Sequence, residues 1–167
     1  MKYCLALAAL VVSVIIGCSY STHSRLPEHI KSISVGMFGN PTQYLHIEGK
    51  LTNALIKEIG VSPRYKVVNS NADAELSGEI TQIRNVVLEY DANRQPKEMQ
   101  VSVSVKFSLY DKVADEFLIT NMEVQNTQSS TLVGRFSVDT GDGWNAAANA
   151  AMEEAAKLIV RRIMMLK

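Results

Sequence analysis

The side chain best placed for chemistry is the thiol of Cys18. It follows Ile15-Ile16-Gly17, at the point where the apolar run over residues 5–16 stops. A small residue and then a cysteine at the end of such a run resembles a lipobox, in which the cysteine becomes the lipid-bearing first residue of the mature chain. The run itself is about a dozen residues, short of the ~20 that span a bilayer as a helix. Behind the positive Met1-Lys2 it fits the apolar part of a secretory signal peptide instead. Ser19, not Asp, comes next, the pattern that resembles lipoproteins allowed to travel on to the outer membrane. The expected division is a signal peptide over 1–17, a lipid-bearing N-terminus and tether over 18–28, and a single domain over 29–167.

No other constellation carries chemistry. Cys4 leaves with the leader and Cys18 is spent on lipid, so the mature chain has neither a free thiol nor a disulfide, and the domain must rest on its hydrophobic core. His23, His29 and His46 are scattered through the N-terminal third without metal-site pairing. No serine sits in a G-x-S-x-G elbow and no glycine-rich phosphate loop occurs. Asp139, Thr140 and Asp142 lack the Gly and Glu positions of a calcium loop, and capping or turn formation explains them better. No cofactor is expected beyond the covalent lipid on Cys18, and a binding protein ranks well above an enzyme. Of the 17 lysines and arginines only Lys2 leaves with the leader, so 16 basic residues face 17 acidic ones. A near-neutral chain with 7% aromatics offers nucleic acid neither charge nor a stacking surface.

The element that organises the rest is the stretch 99–110, MQVSVSVKFSLY. Met99, Val101, Val103, Val105, Phe107 and Leu109 share one face, while Gln100, Ser102, Ser104, Lys106, Ser108 and Tyr110 share the other. Alternation of that length predicts a β-strand with one buried face. A first strand is expected at Ile33, Val35 and Met37, then a Gly39-Asn40-Pro41-Thr42 turn. Tyr44, Ile47, Leu51, Ala54, Leu55 and Ile59 follow helical spacing, with Gly60 as the residue that ends the helix. Residues 65–68 predict a short strand parallel to the first. Ala74, Leu76, Gly78 and Ile80 begin another strand whose phase slips near Gln82 or Ile83, the mark of a β-bulge. Residues 91–96 form a hairpin loop and 111–115 a turn. A further strand over 117–124 has its beginning covered on both sides, because Phe117 and Ile119 face away from Leu118 and Met122. Residues 125–143 lack periodicity and read as a long loop. The last helix opens near Asp142 with Trp144, Ala148, Ala151, Met152, Ala155, Leu158, Ile159 and Ile163 as its apolar stripe, and Glu153 paired with Lys157.

The expected order is β-α-β-β-β-β-α. This is an α+β fold, a two-layer α/β sandwich with a mostly antiparallel four- to five-stranded sheet and two helices on one face. The helices cover the valine face. The outward face is expected to be polar, without an exposed apolar stripe.

Three stretches carry a family resemblance: Leu26-Pro27-Glu28-His29-Ile30-Lys31-Ser32-Ile33, Leu51-Thr52-Asn53-Ala54-Leu55-Ile56-Lys57-Glu58 and Ala72-Asp73-Ala74-Glu75-Leu76-Ser77-Gly78-Glu79-Ile80. With the lipobox and the alternating strand, the chain resembles the LptE family of lipopolysaccharide-assembly lipoproteins over nearly all of its mature length. The resemblance implies a lipid-anchored protein on the periplasmic face of the outer membrane that plugs an LptD-like β-barrel, helps deliver lipopolysaccharide to the cell surface and performs no reaction. It also implies basic lipopolysaccharide contacts near the hairpin tip and the late loop. Here Asp91 stands where some relatives carry a basic residue, which leaves Arg94, Lys97 and Arg135 as candidates, with ordinary solvated loop charges as the competing reading. Gln100, Ser102 and Ser104 are the expected barrel-facing residues. The alternatives open on the residues are a regulator of a cell-wall synthase, a pilotin for a secretion pore, and, further off, an enzyme with a dispersed site.

Overall fold

The computed structural model describes residues 26–124, 133–137 and 143–166. Its elements are β1 (Ser32–Val35), α1 (Ile47–Val61), β2 (Lys66–Val67), β3 (Ala74–Tyr90), β4 (Pro96–Asp111), β5 (Glu116–Val124), β6 (Val133–Ser137) and α2 (Gly143–Met164). They form one six-stranded sheet of order β2-β1-β3-β4-β5, with β6 also on β4. β1 runs parallel to β2 and to β3, because α1 returns the chain between β1 and β2. The remaining pairs are antiparallel. This is the expected α+β fold with one strand more than the sequence predicts.

β4 is the spine. Val101, Val103, Val105, Phe107 and Leu109 are buried, and the residues between them are half-exposed. Against this face lie Leu51, Leu55 and Ile59 of α1, and Ala148, Ala151, Met152, Ala155 and Ile159 of α2. The alanines let the α2 backbone close onto the sheet. Leu26 and Ile30, ahead of β1, are already 1% exposed and belong to the same core. Gly78 of β3 sits where a side chain has no room: a Cβ there would lie 2.6 Å from the Phe38 ring and 2.9 Å from the Phe107 Cα.

The phase slip in β3 is a register shift between Ile80 and Gln82, as expected. Other details differ. β6 lies within the segment expected to be loop and pairs with residues 98–102 of β4. A short strand adding to an existing one needs backbone groups more than alternation, so side-chain periodicity did not reveal it. α1 does not end at Gly60 but runs through Val61, and the Ser62 N–H bonds back to the Ile59 carbonyl. None of the described glycines has positive φ. Tyr44 precedes α1 instead of lying on its stripe. Asn40 holds that lead-in, accepting from the Thr42 N–H and Oγ1 and donating to the Tyr44 carbonyl and to Glu48.

Glu153 does not pair with Lys157. It meets Lys57 of α1 at 3.4 Å, while Lys157 takes Glu154 at 3.3 Å, because packing of the two helices brings Lys57 within reach. The beginning of β5 is not covered on both sides. Its register slips at Leu118, so Ile119 pairs with Leu109 on the buried face and Phe117 pairs with Tyr110 on the outward one. Phe117 stays 58% exposed, its ring tilted against Tyr110. Nor is the outward side wholly polar: Val86, Leu88 and Tyr90, on the far half of β3, are 44%, 42% and 60% exposed. The bulge near Gln82 reverses the strand's parity and turns Val86 away from the helices.

Candidate functional site

The β3–β4 hairpin and its outward face gather the predicted site residues. At its tip Asp91 is structural. Its Oδ1 accepts the Asn93 and Gln95 N–H groups at 2.8 Å each, and its backbone N–H bonds to the Gln95 carbonyl. That arrangement explains why an acidic residue stands there, since Asx side chains bond to their own turn. Arg94 adopts the left-handed conformation, φ 61°, and is exposed at the end of the hairpin. Lys97 is engaged by Glu89 at 2.8 Å. Arg135 lies in β6 with its Cα opposite that of Gln100. The fold therefore brings β6 to the hairpin half that carries Arg94 and Lys97, although nearly forty residues separate them in sequence.

Gln100, Ser102 and Ser104 point away from the helices and are half-exposed. Their neighbours across the ladder are Val86, Arg84 and Gln82. Further along the same face Glu79 lies opposite Lys106 and Ser77 opposite Ser108, and the Ser108 hydroxyl accepts the Asn121 N–H. A shallow depression of about 310 Å³ opens here between Gly39, Glu79, Lys106 and Asn121. A second hollow, of about 280 Å³, lies between the helices and is lined by Lys50, Lys57, Asn149 and Glu153. Both are open and polar-rimmed, unlike the enclosed apolar clefts that hold small substrates. Among the described residues no group of three His, Cys, Asp or Glu side chains could hold a metal ion. No described helix is long and apolar enough to cross a membrane. Cys18 lies outside the described residues.

Two clusters went unread in the sequence. In the first, Asn85 donates to the Tyr44 hydroxyl at 3.0 Å and accepts from Trp144 Nε1 at 3.2 Å. The two rings stack 5.1 Å apart at 15°, with Lys50 Nζ 5.9 Å from the Trp144 ring. This cluster fastens the lead-in to α1 and the start of α2 beneath the far half of β3. Trp144 at helical spacing read as plain core, and only its indole N–H, which needs an acceptor when buried, hinted at more.

The second cluster clamps the N-terminal approach to the domain. Asp73 accepts from the Lys31 and Ser32 N–H groups and from Ser32 Oγ, which hold its carboxyl below the ordinary range. His29 Nε2 lies 2.6 Å from Asp111 Oδ2. Burial pushes the Asp111 carboxyl up, but the Ala114 N–H, the His29 ring and the Val113 N–H outweigh it and hold the group below its usual value.

Comparison with known proteins gives a fold and a family. The hypothetical protein from Chlamydia trachomatis is similar with a TM-score of 0.55 at 9% identity, over 82% of this chain and 97% of that one. A protein from Xanthomonas campestris is similar with a TM-score of 0.54 at 11% identity, over 87% of this chain and 89% of that one. At such identities the likeness concerns the fold alone. A search of curated proteins returned no match. The model of the family LptE, described as lipopolysaccharide-assembly, matches residues 30–165. That span takes in every described element from β1 to α2, so the chain belongs to the LptE family of lipopolysaccharide-assembly proteins.

Proposed function

We propose that this protein is a non-enzymatic lipoprotein of the outer membrane, anchored on its periplasmic face by acyl chains on Cys18. In this reading it plugs and supports an LptD-like β-barrel during assembly of lipopolysaccharide at the cell surface. Membership of the lipopolysaccharide-assembly family supports the process. The observation that supports the barrel contact is the outward face of β4. Gln100, Ser102 and Ser104 present amide and hydroxyl groups away from the helices, along a strand whose opposite face is buried throughout its central part. The interior of a large membrane barrel is itself polar, so a domain lodged there matches hydrogen bonds instead of apolar area. Arg94, at the hairpin tip, and Arg135, on the neighbouring strand, are the cations offered to lipopolysaccharide phosphates. Lys97 reaches them only by leaving Glu89.

Photo-crosslinkers at Ser102, Ser104 and Arg94 in living cells test the reading. Adducts to an LptD-sized outer-membrane barrel are expected. Adducts solely to a cell-wall synthase, or none at any of the three positions, overturn it.

A further inference from the structure

Among the described residues, one side of β3 is open over its far half. On the near half, the Gly36 N–H bonds to the Leu76 carbonyl, the Gly39 N–H bonds to the Gly78 carbonyl, and the Ile80 N–H bonds to the Gly39 carbonyl. Leu76, Gly78 and Ile80 therefore turn their backbone groups toward the segment that follows β1, and the residues between them face β4. The cover ends at the Gly39–Glu79 bridge. Beyond it, among the described residues, β3 pairs with β4 alone.

The regularity of β4 decides which groups are exposed there. Lys106, Ser104, Ser102 and Gln100 face β3, opposite Glu79, Gln82, Arg84 and Val86. By the alternation of an antiparallel ladder, Ile83, Asn85 and Val87 direct their N–H and C=O groups to the open edge. The run is bracketed by register shifts, one between Ile80 and Gln82 and one between Val87 and Glu89. Within it the usual defences of an edge strand are sparse: there is no proline and no lysine, and Arg84 is the only charge. Val86 within the run and Leu88 and Tyr90 beyond it are exposed.

We infer that residues 82–87 of β3 accept an extended polypeptide segment of the partner by strand addition. Only a chain in strand conformation supplies alternating donors and acceptors at the spacing the edge presents. The flanking bulges limit the added segment to about six residues. Val86 gives it an apolar side chain to pack against, which favours apolar residues at alternate positions of the incoming strand. The wall strands of a closed barrel have both edges occupied, so the donor is a segment of the barrel chain outside its wall ladder. The identity of the partner rests on the function proposed above; the edge and its geometry do not.

The test uses the full lipid-bearing chain, alone and co-expressed with the LptD-like barrel of the same cell. Hydrogen exchange over peptides spanning 82–87 is expected to slow at least tenfold in the complex. Val87→Pro removes an N–H that the β3–β4 ladder does not use, and proline is tolerated at such edge positions. This variant should keep its far-ultraviolet spectrum and lose both the added protection and most of the retained barrel. A Val86→Pro variant, whose N–H belongs to the ladder, reports hairpin damage instead. If Ser104 still crosslinks to the barrel but residues 82–87 exchange as in the free chain, strand addition is wrong and the barrel reading stands. If no barrel is retained at all, both fall. If the free chain is already dimeric and Val87→Pro makes it monomeric, the occupant is a second copy and the assignment to the partner is overturned.

Discussion

The imidazole of His29 lies 2.6 Å from a carboxylate oxygen of Asp111, a residue 82 positions further along the chain and fully buried. The same carboxylate receives the Val113 and Ala114 N–H groups at 2.9 and 3.0 Å. It thus joins the segment leading into β1 to the turn between β4 and β5. Asp73, one residue before the β3 position that pairs with Asp111, fastens Lys31 and Ser32 in the same region.

Acid should loosen this clamp. Both carboxyls are held below their ordinary values in the folded chain, so the unfolded chain takes up protons first as pH falls. Their contribution is complete above about pH 5 and is lost progressively below about pH 4, toward the folded-state values. Asp111→Asn should melt below wild type at pH 7, with the gap narrowing as the solution is acidified to pH 3. Parallel melting curves across that range would show that Asp111 is not part of the acid response.

Two glycines should respond oppositely to alanine. At Gly78 the new methyl meets the Phe38 ring and the backbone of β4, and overpacking of this kind costs about 1–3 kcal/mol. At Gly49, within α1, nothing lies within 4 Å of the added Cβ, and a helix gains roughly 0.5–1 kcal/mol from the exchange. Urea unfolding of both variants measures the pair. A Gly78→Ala protein as stable as wild type would mean that β3 and β4 can separate to admit the methyl.

The two faces of β4 should differ in their tolerance of charge. Val103 is 1% exposed beneath the helices, and Ser104, next to it, faces outward. Val103→Asp buries an unpaired carboxylate, a loss of several kcal/mol from a total that is typically about 5–15. Ser104→Asp should leave the isolated domain folded. Equal melting temperatures for the two would contradict the burial of the valine face.

Anchoring should depend on one atom. If Cys18 becomes the lipid-bearing first residue, Cys18→Ala accumulates as an unprocessed or soluble product. Each buried CH₂ contributes about 0.8 kcal/mol to membrane binding, and stable attachment takes more than one chain. Intact mass of the mature wild-type protein, showing acyl additions at Cys18, is the expected result; an unmodified Cys18 would refute it.

Some of this architecture is written in local order. The alternation over 99–110 separates a buried face from a polar one wherever the strand is placed, because successive side chains leave a strand on opposite sides. The β3 bulge is equally legible, since one extra residue inverts parity and Ile83 falls out of phase with Ala74, Leu76, Gly78 and Ile80. The helical stripes and the parallel β2 follow for similar reasons, whereas the turn expected at Gly39 is not formed, because Gly39 bridges to Glu79 of β3. The proposed lipid site at Cys18 rests on sequence alone, read from the end of one apolar run.

What tertiary structure decided is whatever depends on a partner distant in sequence. Glu153 next to Lys157 looked like a helix pair, but Lys57, 96 residues away, takes it because the helices pack side by side. Asn85 carries no local sign that it will receive the Trp144 N–H. β6 joins β4, and the cover of β3 by β1 and the Gly39 bridge stops at Glu79, through backbone groups that every residue but proline possesses. Those groups leave no mark in side-chain order, so the open edge over 82–87 becomes visible only when the sheet is assembled and one counts which strands have neighbours.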